Sequence, residues 1–304
     1  MVNLSVIILT YNEEIHIERC IHSVLPIAKR IYVVDSYSTD RTVEIAKGLG
    51  ATVVQHPFVN HAQQLQWAMD VLPIETVWIM RLDADEYLLP ALVDEIRQKL
   101  PLLPQDINGV YLKLRYIFLG RRIRHGAWYP LLLLRIWRNG KGRIEQRWMD
   151  EHMVLQEGKC LIFKKDFCHH SLHDITRWIE KHNKYATREA IEVLNRKYGL
   201  FDTDDALVLK HARSQAGFKR IIKERFFYRL PMFLGPFLYF SYRYFIRLGF
   251  LDGKEGLVYH FLQGFWYRFL VEAKVMELDS ELKRIDKPDL KLEKLEELTG
   301  YSLK

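Results

Sequence analysis

The sequence predicts an open α/β sheet with parallel strands in its N-terminal part. Three observations predict it. Apolar runs of strand length alternate with segments of helical period over the first hundred residues. Each run closes on a polar loop rich in helix-capping residues. Beyond Gly109 the alternation gives way to longer aromatic and β-branched runs. Strand–helix alternation is the pattern of a parallel sheet covered by helices.

Leu4 to Thr10 is a continuous apolar run, as in a strand buried on both faces. Ile15, Cys20, Ile21 and Val24 follow at helical spacing. Ile31 to Val34 reads as a second strand ending at Asp35, with Ser38, Thr39 and Asp40 as helix-start residues and Gly48 as a stop. Ala51 to Val54 is a third strand, Ala62 to Val71 a helix, and Thr76 to Leu82 a fourth strand that hands over to a loop at Asp83. Pro90 suits the first turn of a helix over Ala91 to Leu100. Gly109 to Phe118 and Leu131 to Arg138 read as strands joined by a basic loop. Ser171 to Tyr198 reads as a long helix with Trp178, Tyr185 and Ile191 inward. The charged stretch after Leu278 is expected to be mobile. The chain thus divides into an α/β domain over 1–170, a helical aromatic and basic region over 171–280, and a charged tail over 281–304.

Composition narrows the class. Hydrophobic residues make up 49% and charged residues 27% of 304, which is a globular composition rather than a disordered one. Three cysteines without a CxxC pair indicate neither a disulfide framework nor a cysteine-rich zinc site. The net charge of +7 suits nucleic acid, anionic lipid or phosphorylated substrates and does not choose among them. The N-terminus lacks the pattern of a secretory signal, so the expected compartment is the cytosol.

Three motifs carry chemistry. Asp83-Ala84-Asp85 directly follows the fourth strand, and ligands of open α/β sheets bind beyond the carboxyl ends of strands. Two carboxylates there can hold a hard divalent cation that neutralises a diphosphate. DxD is short and common by chance, so its position carries the argument. Thr10-Tyr11-Asn12-Glu13 ends strand one: Tyr11 can stack on a nucleobase and Glu13 can accept from ribose hydroxyls, although a plain helix cap explains the same residues. Asp35 and the residues to Asp40 form a similar cluster after strand two.

In that order (TYNE, VVDSYSTDRT, LDADE) the motifs resemble the family 2 glycosyltransferases of GT-A fold, over roughly the first 155 residues. The resemblance implies a GT-A (Rossmann-like) mixed sheet with flanking helices. It implies that Thr10, Tyr11 and Glu13 line a nucleoside pocket and that Asp35 hydrogen-bonds the base. Asp83 and Asp85 would sit at the diphosphate and hold Mn2+ or Mg2+, Asp85 foremost. An inverting transfer also needs a carboxylate to take the acceptor's proton, and Asp150-Glu151-His152 lies where the family places an acidic pair. A closer resemblance to lipopolysaccharide-core glucosyltransferases, which carry an acidic residue matching Glu151 and a His matching Asp150, favours Glu151 and leaves Asp150 open. Arg121, Arg122, Arg124 and His125 precede Gly126-Ala127-Trp128-Tyr129-Pro130, similar to an RH…WYP segment of that subfamily. Arg124 and its neighbours would clamp a donor or acceptor diphosphate, or else form a solvated hairpin. His169, His170 and His173 match no zinc spacing and read as capping or core histidines; reach to the catalytic metal or a phosphate is the other reading. On the helix face shared by Trp178, Lys181, His182 and Tyr185, the aromatics read as packing and the polar pair as acceptor-site candidates.

From Phe218 to Phe269, arginines recur among aromatics too often for a spanning helix. Such a segment suits the headgroup layer of a membrane, with Lys219, Arg220, Lys223 and Arg225 toward anionic lipid. The tract YRYF…LGFLDGKEG…YRFL also resembles the subfamily. The expected whole is an α/β enzyme with a C-terminal helical, membrane-associated extension at the cytoplasmic face of a bacterial inner membrane. It would move a sugar from a UDP-sugar to a polyprenyl-diphosphate-linked or lipid A-core glycan of lipopolysaccharide, O-antigen or capsule type. A second copy of the chain is a further expected partner, and nucleic acid is not. A polyprenyl-phosphate sugar synthase is the alternative among enzymes. A nucleic-acid-binding module or a non-catalytic scaffold is the alternative outside them.

Overall fold

A computed structural model describes residues 1–127, 129–145, 151–201 and 231–303. The chain separates into two compact units, one of Met1–Glu145 with Glu151–Leu172, the other from His173 onward. Asp150, Trp128 and the basic residues Lys219, Arg220, Lys223 and Arg225 lie outside the described residues.

In the first unit, β1 (Leu4–Thr10), β2 (Arg30–Asp35), β3 (Thr52–Gln55) and β4 (Trp78–Asp83) are parallel, in the spatial order β3-β2-β1-β4. The sheet then becomes mixed. β8 (Leu131–Arg138) runs antiparallel to β4, and β6 (Ile107–Phe118) antiparallel to β8. β11 (Lys159–His170) is parallel to β6, and β5 (Glu86–Leu88) closes the edge antiparallel to β11. A short β7 (Arg121–Ile123) forms a hairpin with β6, and β9 (Gly142–Ile144) pairs with β10 (Met153–Leu155) apart from the main sheet. The strands expected from the sequence are all present, with small shifts at their ends. β5, β7, β9, β10 and β11 were not legible there.

Every residue of β1 is buried, and its alternation serves two cores. Val6 and Ile8 pack with Cys20, Ile21 and Val24 of α1 (Ile17–Val24), Ala46 of α2 (Thr42–Gly48), and Leu92 and Ile96 of α4 (Pro90–Lys99). Ile7 and Leu9 face Ala62, Leu65 and Ala68 of α3 (His61–Val71). The strand order reverses between β1 and β4, which places a ligand crevice at their carboxyl ends.

The second unit is helical. α5 (Ile175–Tyr198) begins where the Asp174 side chain accepts from Arg177 N–H and ends at Gly199 with φ 63°. It is followed, among the described residues, by α6 (Leu234–Ser241), α7 (Gly253–Tyr259), α8 (Tyr267–Leu282) and α9 (Pro288–Thr299), with short π-helical stretches at Tyr242–Ile246 and His260–Trp266. The end of the chain corrects the expectation of a mobile tail. Its charges mask an amphipathic helix: Leu292 and Leu295 of α9, with Leu303, pack on Ala190, Ile191 and Leu194 of α5 and Leu278 and Leu282 of α8. Among the described residues no helix is long and apolar enough to cross a membrane.

Candidate active site

The loops after β1 and β2 hold each other in place. Asn12 N–H donates to Ser38 Oγ at 2.8 Å, and Thr39 N–H donates to Asn12 Oδ1 at 2.8 Å. Glu13 N–H donates to Thr42 Oγ1 at 2.8 Å. Asn12 and Tyr37 both adopt left-handed backbone, φ 53° and 60°. For Tyr37 this is a strained conformation that the cross-loop bonds must sustain.

Asp35 is fully buried at the end of β2 and accepts from Ser38 N–H at 2.9 Å, from the Ser38 hydroxyl and from Gln55 Nε2 at 3.1 Å. Its carboxylate thus shapes the loop as well as the crevice. Thr10, at the mouth of β1, is buried, and its hydroxyl has no hydrogen-bond partner in the described structure. A buried hydroxyl in that state is costly unless a ligand completes it. Tyr11 is half exposed (51%) with its ring accessible for stacking. Glu13 is held by His16, whose Nε2 accepts from Leu172 N–H at 2.7 Å. The opposite nitrogen, Nδ1, therefore carries the proton and faces the Glu13 carboxylate. His16 is a partner of the candidate residue Glu13 that sequence reasoning missed; its signal was a helical i,i+3 spacing from Glu13.

Beyond β4 the two aspartates of the DxD motif have different partners. Asp83 lies between two guanidinium groups, Arg81 Nη2 at 3.3 Å and Arg135 Nη2 at 3.6 Å. Burial pushes the Asp83 carboxyl up, but Arg81, Arg135 and His61 outweigh it and hold the group well below the usual carboxylate range. Asp85 is buried, and its Oδ2 meets His169 Nε2 of β11 at 3.1 Å. The His169 ring stacks on Tyr116 of β6 with centroids 4.8 Å apart. Behind both, Glu86 is buried, pairs with Arg135 and accepts Asp83 N–H at 3.1 Å. Burial raises its carboxyl above the usual range, with Arg135 pulling the other way.

Glu151 lies just ahead of β10, and Arg81 Nη2 stands 3.7 Å from its Oε1. Arg81, 8% exposed, therefore joins Glu151 to Asp83 through one side chain. The sequence offered no signal for Arg81, because it sits inside an otherwise apolar strand.

Arg124 is exposed in the turn after β7. That turn is secured by buried Asp166 of β11, which accepts from Arg115 Nη2 at 3.0 Å, Arg122 Nη2 at 3.3 Å and Tyr129 OH at 3.0 Å. The Arg122 guanidinium also lies over the Tyr129 ring, 4.6 Å from its centroid. The basic segment expected from the sequence is thus a hairpin tied to β11 through Asp166.

The donor set suits a hard or borderline divalent cation. Asp85 and His169 bring one carboxylate and one imidazole within 3.1 Å, close enough to share an ion. Asp83 already has cationic partners on both sides.

The match to a family model covers the sheet unit except for its first four residues. Residues 5–172 match the model of Glycosyl transferase family 2, and the chain belongs to that family. An uncharacterised glycosyltransferase of Rickettsia bellii is 46% identical over 93 residues, 31% of each chain. The matched stretch thus spans about a third of that relative's length. A lipopolysaccharide core biosynthesis glycosyltransferase, LpsC, of Rhizobium meliloti is 28% identical over 193 residues, 62% of this chain and 70% of LpsC. Among solved structures, glucosyl-3-phosphoglycerate synthase of Mycobacterium tuberculosis, in a complex with Mn2+, UDP and glucosyl-3-phosphoglycerate, is 27% identical with a TM-score of 0.32. That match covers 38% of this chain and 44% of that one.

Proposed function

We propose that the chain is an inverting glycosyltransferase that moves a sugar from a nucleoside diphosphate donor, UDP by preference, to a hydroxyl of a lipid-linked cell-envelope glycan. The observation that carries this reading is the placing of two groups of contacts on the loop after β4, Asp85 with His169 and Asp83 with Arg81, which also reaches Glu151, at the carboxyl ends of the central strands. It combines a cation-binding donor set with a carboxylate base, within a family of glycosyl transferases.

Each residue has a role in this reading. Tyr11 stacks on the base, Asp35 hydrogen-bonds its edge, and Thr10 and Glu13 take the ribose. Asp85 and His169 would hold Mn2+ or Mg2+, which when bound supplies charge neutralisation for the leaving diphosphate. Glu151 removes the proton of the acceptor hydroxyl as that oxygen attacks the anomeric carbon and the bond to the diphosphate breaks. Arg81 fixes the Glu151 carboxylate, and Arg124 takes an acceptor or donor phosphate. A lipopolysaccharide-core acceptor is favoured by the likeness to LpsC.

The test is UDP release from a panel of UDP-sugars with delipidated and lipid-linked core glycans as acceptors. Transfer that falls at least ~100-fold in Glu151→Gln supports a carboxylate base. Undiminished transfer to a polyprenyl phosphate by Glu151→Gln would point to a phosphate acceptor, which arrives already ionised and needs no base.

A further inference from the structure

The second unit exposes an apolar surface that its own core does not use. Phe245, Ile246, Leu248, Phe250, Leu251 and Phe261 are between 45% and 71% exposed. They are not scattered. Phe245 and Phe250 both contact the Tyr244 ring, at 5.2 and 6.3 Å, while Phe245 and Phe261 both contact Phe240, at 6.4 and 6.2 Å. Phe261, Phe265 and Phe269 continue the series at 5.5 and 5.7 Å. A contiguous apolar face of this kind is unusual on a monomer in water and marks an interaction site.

Three features of the face choose its partner. First, α6 is short and ends in a π-helical stretch and a 3-10 turn, while the helical run from Gly253 to Leu282 is long but carries charges along its length, including Lys254, Glu255, Arg268 and Glu272. Among the described residues no helix is long and apolar enough to cross a membrane, so the face meets a bilayer from the side, lying along it. Second, the exposed charged residues between 231 and 269 are Arg247 and Lys254, both cations; Glu255 and Arg268 are half-buried, and Arg243 and Asp252 are buried. Third, aromatic rings among long basic side chains match the boundary between acyl chains and headgroups, where rings sit at the interface and cations reach the phosphates.

We infer that residues 231–269 form a docking platform for the surface of an anionic lipid bilayer. Phe245, Ile246, Phe250 and Phe261 enter the acyl boundary, and Arg247 and Lys254 meet lipid phosphates. The platform deepens the proposed function, because a lipid-linked acceptor would be presented at that surface, but its test needs no donor, acceptor or turnover.

The experiment is flotation of the full chain with vesicles of neutral phosphatidylcholine alone or with phosphatidylglycerol. Anionic vesicles should carry the protein at least ~10-fold better than neutral ones, with the preference falling as salt rises. The double substitution Phe245→Ser, Ile246→Ser should abolish flotation. Arg247→Gln with Lys254→Gln should remove the anionic preference while leaving the residual binding to neutral vesicles. All these side chains are exposed, and unchanged melting of each variant checks that the fold is intact. Flotation unaffected by either double substitution would overturn the inference. So would a stable dimer in lipid-free buffer that Phe245→Ser, Ile246→Ser converts to monomer, since the face would then belong to a second copy. Loss of flotation with UDP binding retained would separate this platform from the donor site.

Discussion

His169 Nε2 lies 3.1 Å from Asp85 Oδ2, joining the DxD loop after β4 to the last main-sheet strand, β11. The two residues are 84 apart in sequence, and the antiparallel pairing of β11 with β5, which sets His169 opposite Glu86, brings them together. His169→Ala should weaken Mn2+ binding by at least ~10-fold while leaving the fold intact. Metal titration followed by calorimetry, without nucleotide, reads this directly. Equal affinity in wild type and variant would remove His169 from the donor set.

Arg81 should act on turnover through Glu151. Arg81→Lys keeps the charge but loses the planar group that reaches both Asp83 and Glu151. A drop of about 10–100-fold in kcat with a smaller change in acceptor KM is expected, since misplacing a base by about 1 Å can cost that much. If acceptor KM alone rises, Arg81 belongs to acceptor binding and not to the placement of the base.

The packed end of the chain has its own test. Leu295 is fully buried between α9 and α5. Leu295→Ala should destabilise the helical unit by about 2–5 kcal/mol, read by denaturant unfolding. A mobile tail would give a change within about 0.5 kcal/mol.

Asp279 gives a pH dependence. Burial pushes its carboxyl up, but hydrogen bonds from Lys197, Lys283 and Tyr198 outweigh burial and bring it down to about 2. An unfolded aspartate titrates near ~3.9. The stabilisation is therefore complete above that value and is lost as pH falls toward the folded value. Asp279→Asn should cost about 1.5–3 kcal/mol at neutral pH, with the gap between variant and wild type closing as pH falls from ~4 to 2. A gap that stays constant over that range would exclude ionisation of Asp279 as its cause.

The legible parts of the molecule were those with local signals. Apolar runs and caps marked β1 to β4, and the three loops after them carried the motif residues Thr10, Tyr11, Glu13, Asp35, Asp83 and Asp85. β11 was hidden because its run KCLIFKKDFCHH carries Lys164, Lys165 and Asp166. Their partners lie far away in sequence: Glu95 accepts the N–H groups of both lysines, and Asp166 collects Arg115 and Arg122. Arg81 and Arg135 were invisible for the same reason, since each makes sense only beside a carboxylate supplied by another element. In the tail, the density of charge concealed an apolar stripe of a few leucines.

The central claim is a nucleoside diphosphate site built on Asp85. The most direct measurement is the melting temperature of the native chain and of Asp85→Ala, titrated with UDP in the presence and absence of Mn2+. A stabilisation of about 2.7 kcal/mol is expected once ligand reaches about a hundred times its Kd, dependent on the metal and abolished in Asp85→Ala. Stabilisation by UDP that is equal with and without Mn2+, and equal in Asp85→Ala, would contradict the site, as would no response to any nucleotide.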